Sequence, residues 1–245
     1  MVVIVASRFD EEAQALLVRW AADGAALLTC EDLSTAGWVH QPNHLDSSMA
    51  VVSGKVIPTP EIAGVLVRRH WISHEELTYV AAADREYVAA EMNAFLLCWL
   101  AALRCPVINP STTTCLSGPL WTEQQWVHAA AGVGMRVRSL QVRASTRAPA
   151  GIWRDATGAI EEVTVLDQNC FGTSHELMFA QAKLLAAVSR ARLLSMRFIV
   201  GDGAPIFLSA NPFPRLTEDE VLDALRGALL RERTTEVGRR AERVL

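Results

Sequence analysis

Three groups of residues carry side chains that can do chemistry. The first is Arg68-Arg69-His70, directly after the apolar run at residues 63–67. Paired guanidiniums can hold a carboxylate or phosphate through two parallel hydrogen bonds. Ligands sit at the carboxyl ends of strands in open α/β sheets. A solvated strand end, or salt bridges to Glu75 and Glu76, accounts for the same residues without a ligand. Glu91 lies in an otherwise apolar stretch and is a candidate partner for one arginine, since buried charge needs pairing; a surface glutamate is the competing reading. The second group is Arg197, Ser209 and Asn211, carried on two apolar runs that flank Gly201-Asp-Gly203. The third is Cys115 in Thr112-Thr-Thr-Cys-Leu-Ser-Gly118. A nucleophilic cysteine needs a base and an oxyanion hole. His128 or His175 are the candidate bases, against the simpler reading of an inert buried thiol.

The elements that must position these groups follow from periodicity and punctuation. Residues 2–6 form a β-branched buried strand. Asp10 caps a helix over residues 11–23 whose apolar face is Ala13, Leu16, Leu17 and Trp20, and Gly24 ends it. Residues 25–28 give a second strand, so the chain opens as parallel βαβ. Ser7-Arg-Phe-Asp10 follows the first strand, so a glycine-rich dinucleotide fingerprint is absent. A small hairpin turns at Ser53-Gly54, and Ser73-His-Glu-Glu76 has capping-box spacing. That box is expected to open a nearly continuous helical region to Leu103. Pro106-Val-Ile-Asn109 is a short strand and residues 121–131 a helix. Arg136 to residue 144 alternates like a strand with an exposed face, residues 145–151 read as a linker, and residues 152–166 as a hairpin. Ser174 is the expected cap of a helix running to Arg190. A strand, a tight turn and a second strand then lead to Asn211-Pro212, where proline breaks the ladder. Thr217 opens a last amphipathic helix.

Totals set outer limits. The 245 residues allow one large or two small domains, and a net charge of −4 argues against nucleic acid as a partner. Lys55 and Lys183 are the two lysines. The five cysteines lack metal-ligand spacing and imply no disulfide framework, which fits reduced thiols in a cytoplasm. The N-terminus has acidic residues too early for a signal peptide, and the longest apolar stretch, residues 94–103, falls short of the roughly 20 residues a membrane span needs. Trp38, Trp71, Trp121 and Trp126 are candidates for an apolar peptide groove, with core packing as the alternative; Trp20 and Trp99 are expected in the core.

The order of these pieces resembles the ATP-grasp ligases that modify peptides, the microviridin-type macrocyclases and ribosomal-protein glutamate ligases. The opening βαβ resembles a pre-ATP-grasp domain. Val65-Leu-Val-Arg-Arg69 resembles the strand ending in paired arginines, and Glu91 before Val107-Ile-Asn109 resembles that group's Glu and Asn. Gln125 to Gly134-Met135 resembles the passage into the ligase half. Glu162-Val-Thr-Val-Leu-Asp167 with Phe171-Gly172 resembles the strand after the nucleotide-covering subdomain. Hairpin, Asn-Pro and helix complete the set. The resemblance implies an α/β fold: a pre-ATP-grasp, Rossmann-like domain over residues 1–120, then a reduced ATP-grasp-like α+β domain over residues 121–245 that lacks the covering lobe.

The departures shape the expected function. In the family pattern an Asp and Glu-x-Asn hold magnesium on the ATP phosphates. Here Arg197 and Ser209 stand in the acid positions, and Asn211 alone matches. No lysine lies between Lys55 and Lys183, and the interval from Met135 to Glu162 is short for a covering lobe. Magnesium wants carboxylate oxygens, and phosphoryl transfer needs its developing charge neutralised. The expectation is therefore a non-ligase ATP-grasp-like protein that binds a peptide or a partner enzyme in a peptide-modification pathway, using Arg68, Arg69, Glu91, Asn109, Arg197, Ser209 and Asn211. No cofactor is expected; ATP and Mg are disfavoured. A divergent carboxylate-amine ligase or other transferase is the first alternative. A structural subunit that dimerises with a full ATP-grasp ligase is the second, and a homodimer or a heterodimer with such a ligase is the candidate assembly.

Overall fold

The computed structural model describes residues 1–138, 158–172, 175–201 and 203–231. Contacts divide the chain into two units, Met1–Gly118 with the segment from Arg215, and Pro119–Pro214.

The first unit is built on a parallel sheet of order β2-β1-β5-β6, where β1 is Val2–Val5, β2 Ala26–Leu28, β5 Gly64–Val67 and β6 Val107–Ile108. Both faces of β1 and β5 are buried, as expected of strands that are apolar at every position. Val3, Val5, Val65 and Val67 pack into one core with Met92, Leu96 and Trp99 of α3 (Arg85–Ala102). The hairpin β3 (Met49–Val52) and β4 (Lys55–Pro58) adds Ala50 and Val52 to it. On the opposite face Gly64 lies against Leu229 of α6 (Asp219–Leu230). Helix α1 (Glu11–Arg19) begins at Asp10, whose carboxylate accepts from the Ala13 amide at 3.0 Å, and Gly24 (φ 66) turns the chain into β2.

Several expectations are corrected here. The capping box at Ser73 opens a single 3-10 turn, His74–Glu76, and α3 starts only at Arg85. The Arg85 guanidinium takes the carbonyls of Val80 (3.0 Å) and Thr78 (3.2 Å), so those acceptors hold a non-helical turn. Residues 30–33 form the short helix α2 (Cys30–Leu33) with a reciprocal Thr29–Asp32 capping box. The second carboxylate oxygen of Asp32 accepts from the Gly54 amide at 2.7 Å and ties the helix to the β3–β4 turn. The last helix, placed by sequence with the second domain, belongs to the first unit because its apolar face, with Leu225 and Leu229 fully buried, packs on β5.

The second unit is a mixed sheet of order β7-β11-β10-β8-β9: β7 Arg136–Val137, β8 Ala159–Leu166, β9 Asn169–Gly172, β10 Leu193–Val200 and β11 Ile206–Asn211. Helices α4 (Glu123–Gly132) and α5 (Glu176–Ser189) cover one face. Val163, Val165, Leu194, Met196, Phe198 and Phe207 point into that core, where Phe198 and Phe207 meet edge to face at 6.0 Å. His175 stands at the N-cap position of α5 without a side-chain cap bond, and Arg190 ends the helix in the left-handed region. The expected linker at 145–151, the cap at Ser174, residues 139–144 of the expected strand and residues 152–157 of the expected hairpin lie outside the described residues.

Candidate functional site

In the second unit strand register sets a polar patch on the sheet face turned away from α4 and α5. Arg197 on β10 lies directly opposite Glu162 on β8 and Ser209 on β11. One pair along, Ser195 lies opposite Thr164 and Asn211. Directly opposed residues share a face of an antiparallel sheet, so the six side chains form one patch. A bulge makes this possible. Arg197 pairs with Ser209 while Phe198 pairs with Phe207, so β11 carries an extra residue at Leu208. With strict alternation Phe207 and Ser209 would share a face; the bulge sends one into the core and leaves the other on the patch.

The patch has a definite electrostatic character. Glu162 accepts a hydrogen bond from Ser195 Oγ. Asn211 Oδ1 accepts from the Phe213 amide at 2.9 Å and its Nδ2 donates to the Phe213 carbonyl at 2.8 Å, which closes the Asn-Pro-Phe turn. Arg197 is exposed, and its guanidinium makes no ion pair or hydrogen bond among the described residues. Glu162 is thus the carboxylate of the patch, beside a cation. No group of three His, Cys, Asp or Glu able to hold a metal occurs among the described residues. Asp167, also in the resembling motif, is a left-handed turn residue (φ 55) held by a two-pronged ion pair with Arg192 at 2.7 and 2.9 Å.

In the first unit the paired arginines do not act together. Arg68 continues the β1–β5 ladder through its amide, at 2.8 Å from the Val5 carbonyl, so side-chain alternation holds across positions 68 and 69. Arg68 turns to the start of α1, where it meets Asp10 (3.0 Å) and Glu12 (2.9 Å) and is 7% exposed. Arg69 turns the other way, pairs with Glu76 and donates to the Trp71 carbonyl at 3.2 Å. Glu91 is exposed on α3, as in the surface-glutamate reading and not as an arginine's buried partner. The polar residue of α3 that faces inward is Asn93, whose amide bonds both the N–H (2.8 Å) and C=O (3.0 Å) of Ile72. Asn109 is buried beside Gly118, whose left-handed backbone (φ 99) brings the two into contact.

Cys115 is 3% exposed, and its histidine neighbour is neither His128 nor His175. His70 Nδ1 lies 3.6 Å from Cys115 Sγ and 3.0 Å from Ser117 Oγ. Burial pushes His70 below the ordinary imidazole range, as it does His40. On acidification an unfolded imidazole takes a proton near pH 6.5, while the folded one resists until lower pH. The unfolded state then binds more protons, so stability falls as pH drops below about 6.5 and levels off once folded His70 protonates. Urea denaturation from pH 7 to 5 should show this fall, and His70→Gln should remove part of it. An identical slope in the variant would mean that His70 does not carry the effect.

The four tryptophans named as groove candidates divide between the two units. Trp38 packs edge-on against Phe95 (5.0 Å) and Trp99 (5.7 Å) in the first unit. Trp126 is core of the second, with the Trp121 ring tilted against it, centres 4.6 Å apart. Trp71 is 52% exposed. Trp20 and Trp99 are buried as expected.

No family model and no curated protein matches the chain. Solved structures do. The macrocyclase MdnC from Microcystis aeruginosa MRC, bound with its precursor peptide MdnA, superposes with a TM-score of 0.68 at 12% identity, over 94% of this chain and 99% of that one. A RiPP-associated ATP-grasp ligase of Chryseobacterium gregarium, in complex with ADP and a leader and core peptide, gives 0.66 at 11% identity, over 93% and 96%. The ATP-grasp ligase PsnB with minimal precursor, Mg and ADP gives 0.65 at 15% identity, over 94% and 98%. The chain shares its fold with these three structures. Among the described residues no helix is long and apolar enough to cross a membrane.

Proposed function

We propose that this protein is a non-ligase form of the ATP-grasp fold that binds a peptide, or the enzyme acting on one, in a peptide-modification pathway. Two facts support the reading. The three structural neighbours named above are peptide-modifying ligases or macrocyclases, each solved with a precursor or leader peptide. The observation that carries the non-ligase part is Arg197, a guanidinium on the open face of β10 between Glu162 and Ser209. A fixed cation there repels magnesium, which binds through carboxylates and phosphates. Without magnesium little offsets the charge of a transferring phosphoryl group. A guanidinium flanked by a hydroxyl and an amide suits a carboxylate or phosphate on the bound partner instead. Arg197, Ser209 and Asn211 are the proposed contact residues, and the ion-paired Arg68 and Arg69 hold the first unit together.

One observation favours the competing reading of a divergent ligase: Glu162 places a carboxylate on the same patch, and Asn211 sits beside it in register. Calorimetric titration with magnesium-ATP separates the two. No binding in the micromolar range is expected from the native chain, and Arg197→Asp combined with Ser209→Glu is expected to bring nucleotide binding up. Micromolar binding by the native chain with ADP released in turnover would overturn the non-ligase assignment.

A further inference from the structure

Helix α5 has two apolar faces. Met178, Ala182, Leu185 and Ala186 point into the core of the second unit. On the opposite side Leu177 (45% exposed), Leu184 (52%) and Val188 (54%) stand in solvent, with Ala180 and Ala187 also exposed. Positions 177, 180, 184 and 187 repeat at intervals of three and four, the spacing of a helix-pairing seam. The helix has 14 residues, so the seam is about 21 Å long. Scattered apolar residues are ordinary on a surface; a continuous stripe along one helix opposite its core face is not.

The charges beside the stripe identify what covers it. Glu176, Lys183 and Arg190 are spaced by seven and lie along one flank. All three are exposed, and none forms an ion pair among the described residues. When two copies of α5 pack antiparallel about a two-fold axis, each flank meets itself in reverse order. Glu176 then faces Arg190 of the second copy, twice by symmetry, and Lys183 faces Lys183 at the centre. The same register sets Leu177 against Ala187 and Ala180 against Leu184. In a parallel pair this flank would face Gln181 and Val188, and no charges would match. We infer that α5 is a self-association surface, pairing antiparallel with α5 of a second copy of this chain. One helix pair buries less than a standard interface, so the dimer is weak, with dissociation in the range of about 1–100 μM. The surface is independent of the polar patch on β8, β10 and β11, and its test uses no peptide or nucleotide.

Sedimentation velocity on the full chain over a concentration series reads the association directly. The native protein should pass from monomer to dimer. Leu184→Glu, which buries a carboxylate at the seam, should weaken it by about tenfold or more while leaving the melting temperature in place, since Leu184 faces solvent. Glu176→Arg should weaken it more modestly. Combining Glu176→Arg with Arg190→Glu should restore it, and Lys183→Gln should tighten it. Three outcomes overturn the inference: a monomer at every concentration, which would leave the stripe to a different partner; a dimer indifferent to Leu184→Glu; or a charge-swapped double variant no tighter than Glu176→Arg alone.

Discussion

Arg68→Ala is expected to cost about 3 kcal/mol of unfolding free energy, the lower end of what removing one partner of a buried ion pair costs. The guanidinium is almost fully buried and meets two carboxylates of α1, Asp10 at 3.0 Å and Glu12 at 2.9 Å. Its removal leaves both acids without their cation, and water does not fully rehydrate Asp10, which is mostly covered. Glu12 is more open and recovers part of its hydration, which places the loss at the lower end. Asp10 also caps α1 through the Ala13 amide, so the start of that helix should fray. Urea denaturation of the native chain and the variant measures the loss. Asp10→Ala combined with Arg68→Ala should cost less than the sum of the two single changes, because they share one interaction. A loss below about 1 kcal/mol would show that the pair is worth no more than an exposed one.

Gly64→Ala should be of similar size for a steric reason. A Cβ at Gly64 would stand 2.2 Å from the Leu229 carbonyl oxygen and 2.9 Å from its Cα. Those atoms are backbone, so no rotamer change relieves the clash; α6 must move off β5. Leu225 and Leu229 are fully buried there, and prising up the helix costs contact across its apolar face. Overpacking typically costs 1–3 kcal/mol, and a clash against backbone belongs near about 3 kcal/mol. Hydrogen exchange should show the α6 amides losing protection before those of β1 and β5. A variant within about 0.5 kcal/mol of native stability would mean that α6 is not held at this distance.

Local signals in this chain were legible to the extent that the physics behind them is local. Short continuous apolar runs read as buried strands, β-branched throughout in β1 and in part in β5, so β1, β2 and β5 are readable directly. Ser53 and Gly54 both have positive φ (50° and 71°), as the tight turn required. Helix α1 stops at Arg19, short of the expected 23, and Gly24 caps the 3-10 turn Ala21–Asp23 that follows it, while Asn211-Pro212 stops β11 where proline removes the ladder donor. The order of these pieces, rather than any one motif, pointed to the ATP-grasp fold. Where a local signal met a competing side chain it misled: the Ser73 capping box is real, but Arg85 captures the carbonyls that a continuous helix needed.

The candidate site was legible in its residues but not in its geometry. Arg197, Ser209 and Asn211 could be named by position, whereas Glu162 and Ser195 join them only through the register of β8 on β10, and Ser209 only through the bulge at Leu208. Arg68 and Arg69, adjacent in sequence, are sent to opposite faces by strand alternation: Arg68 finds Asp10 and Glu12 far back along the chain, and Arg69 finds the nearby Glu76 that the sequence offered as a salt-bridge partner. Cys115 and His70 meet because the loop folds back on the end of β5, and α6 joins the first unit because that is where its apolar face is buried. Periodicity and punctuation, which act over a few residues, are properties of the sequence itself. Which charge neutralises which, and which side chains share a face, depend on pairing between segments that the chain brings together only when its core closes.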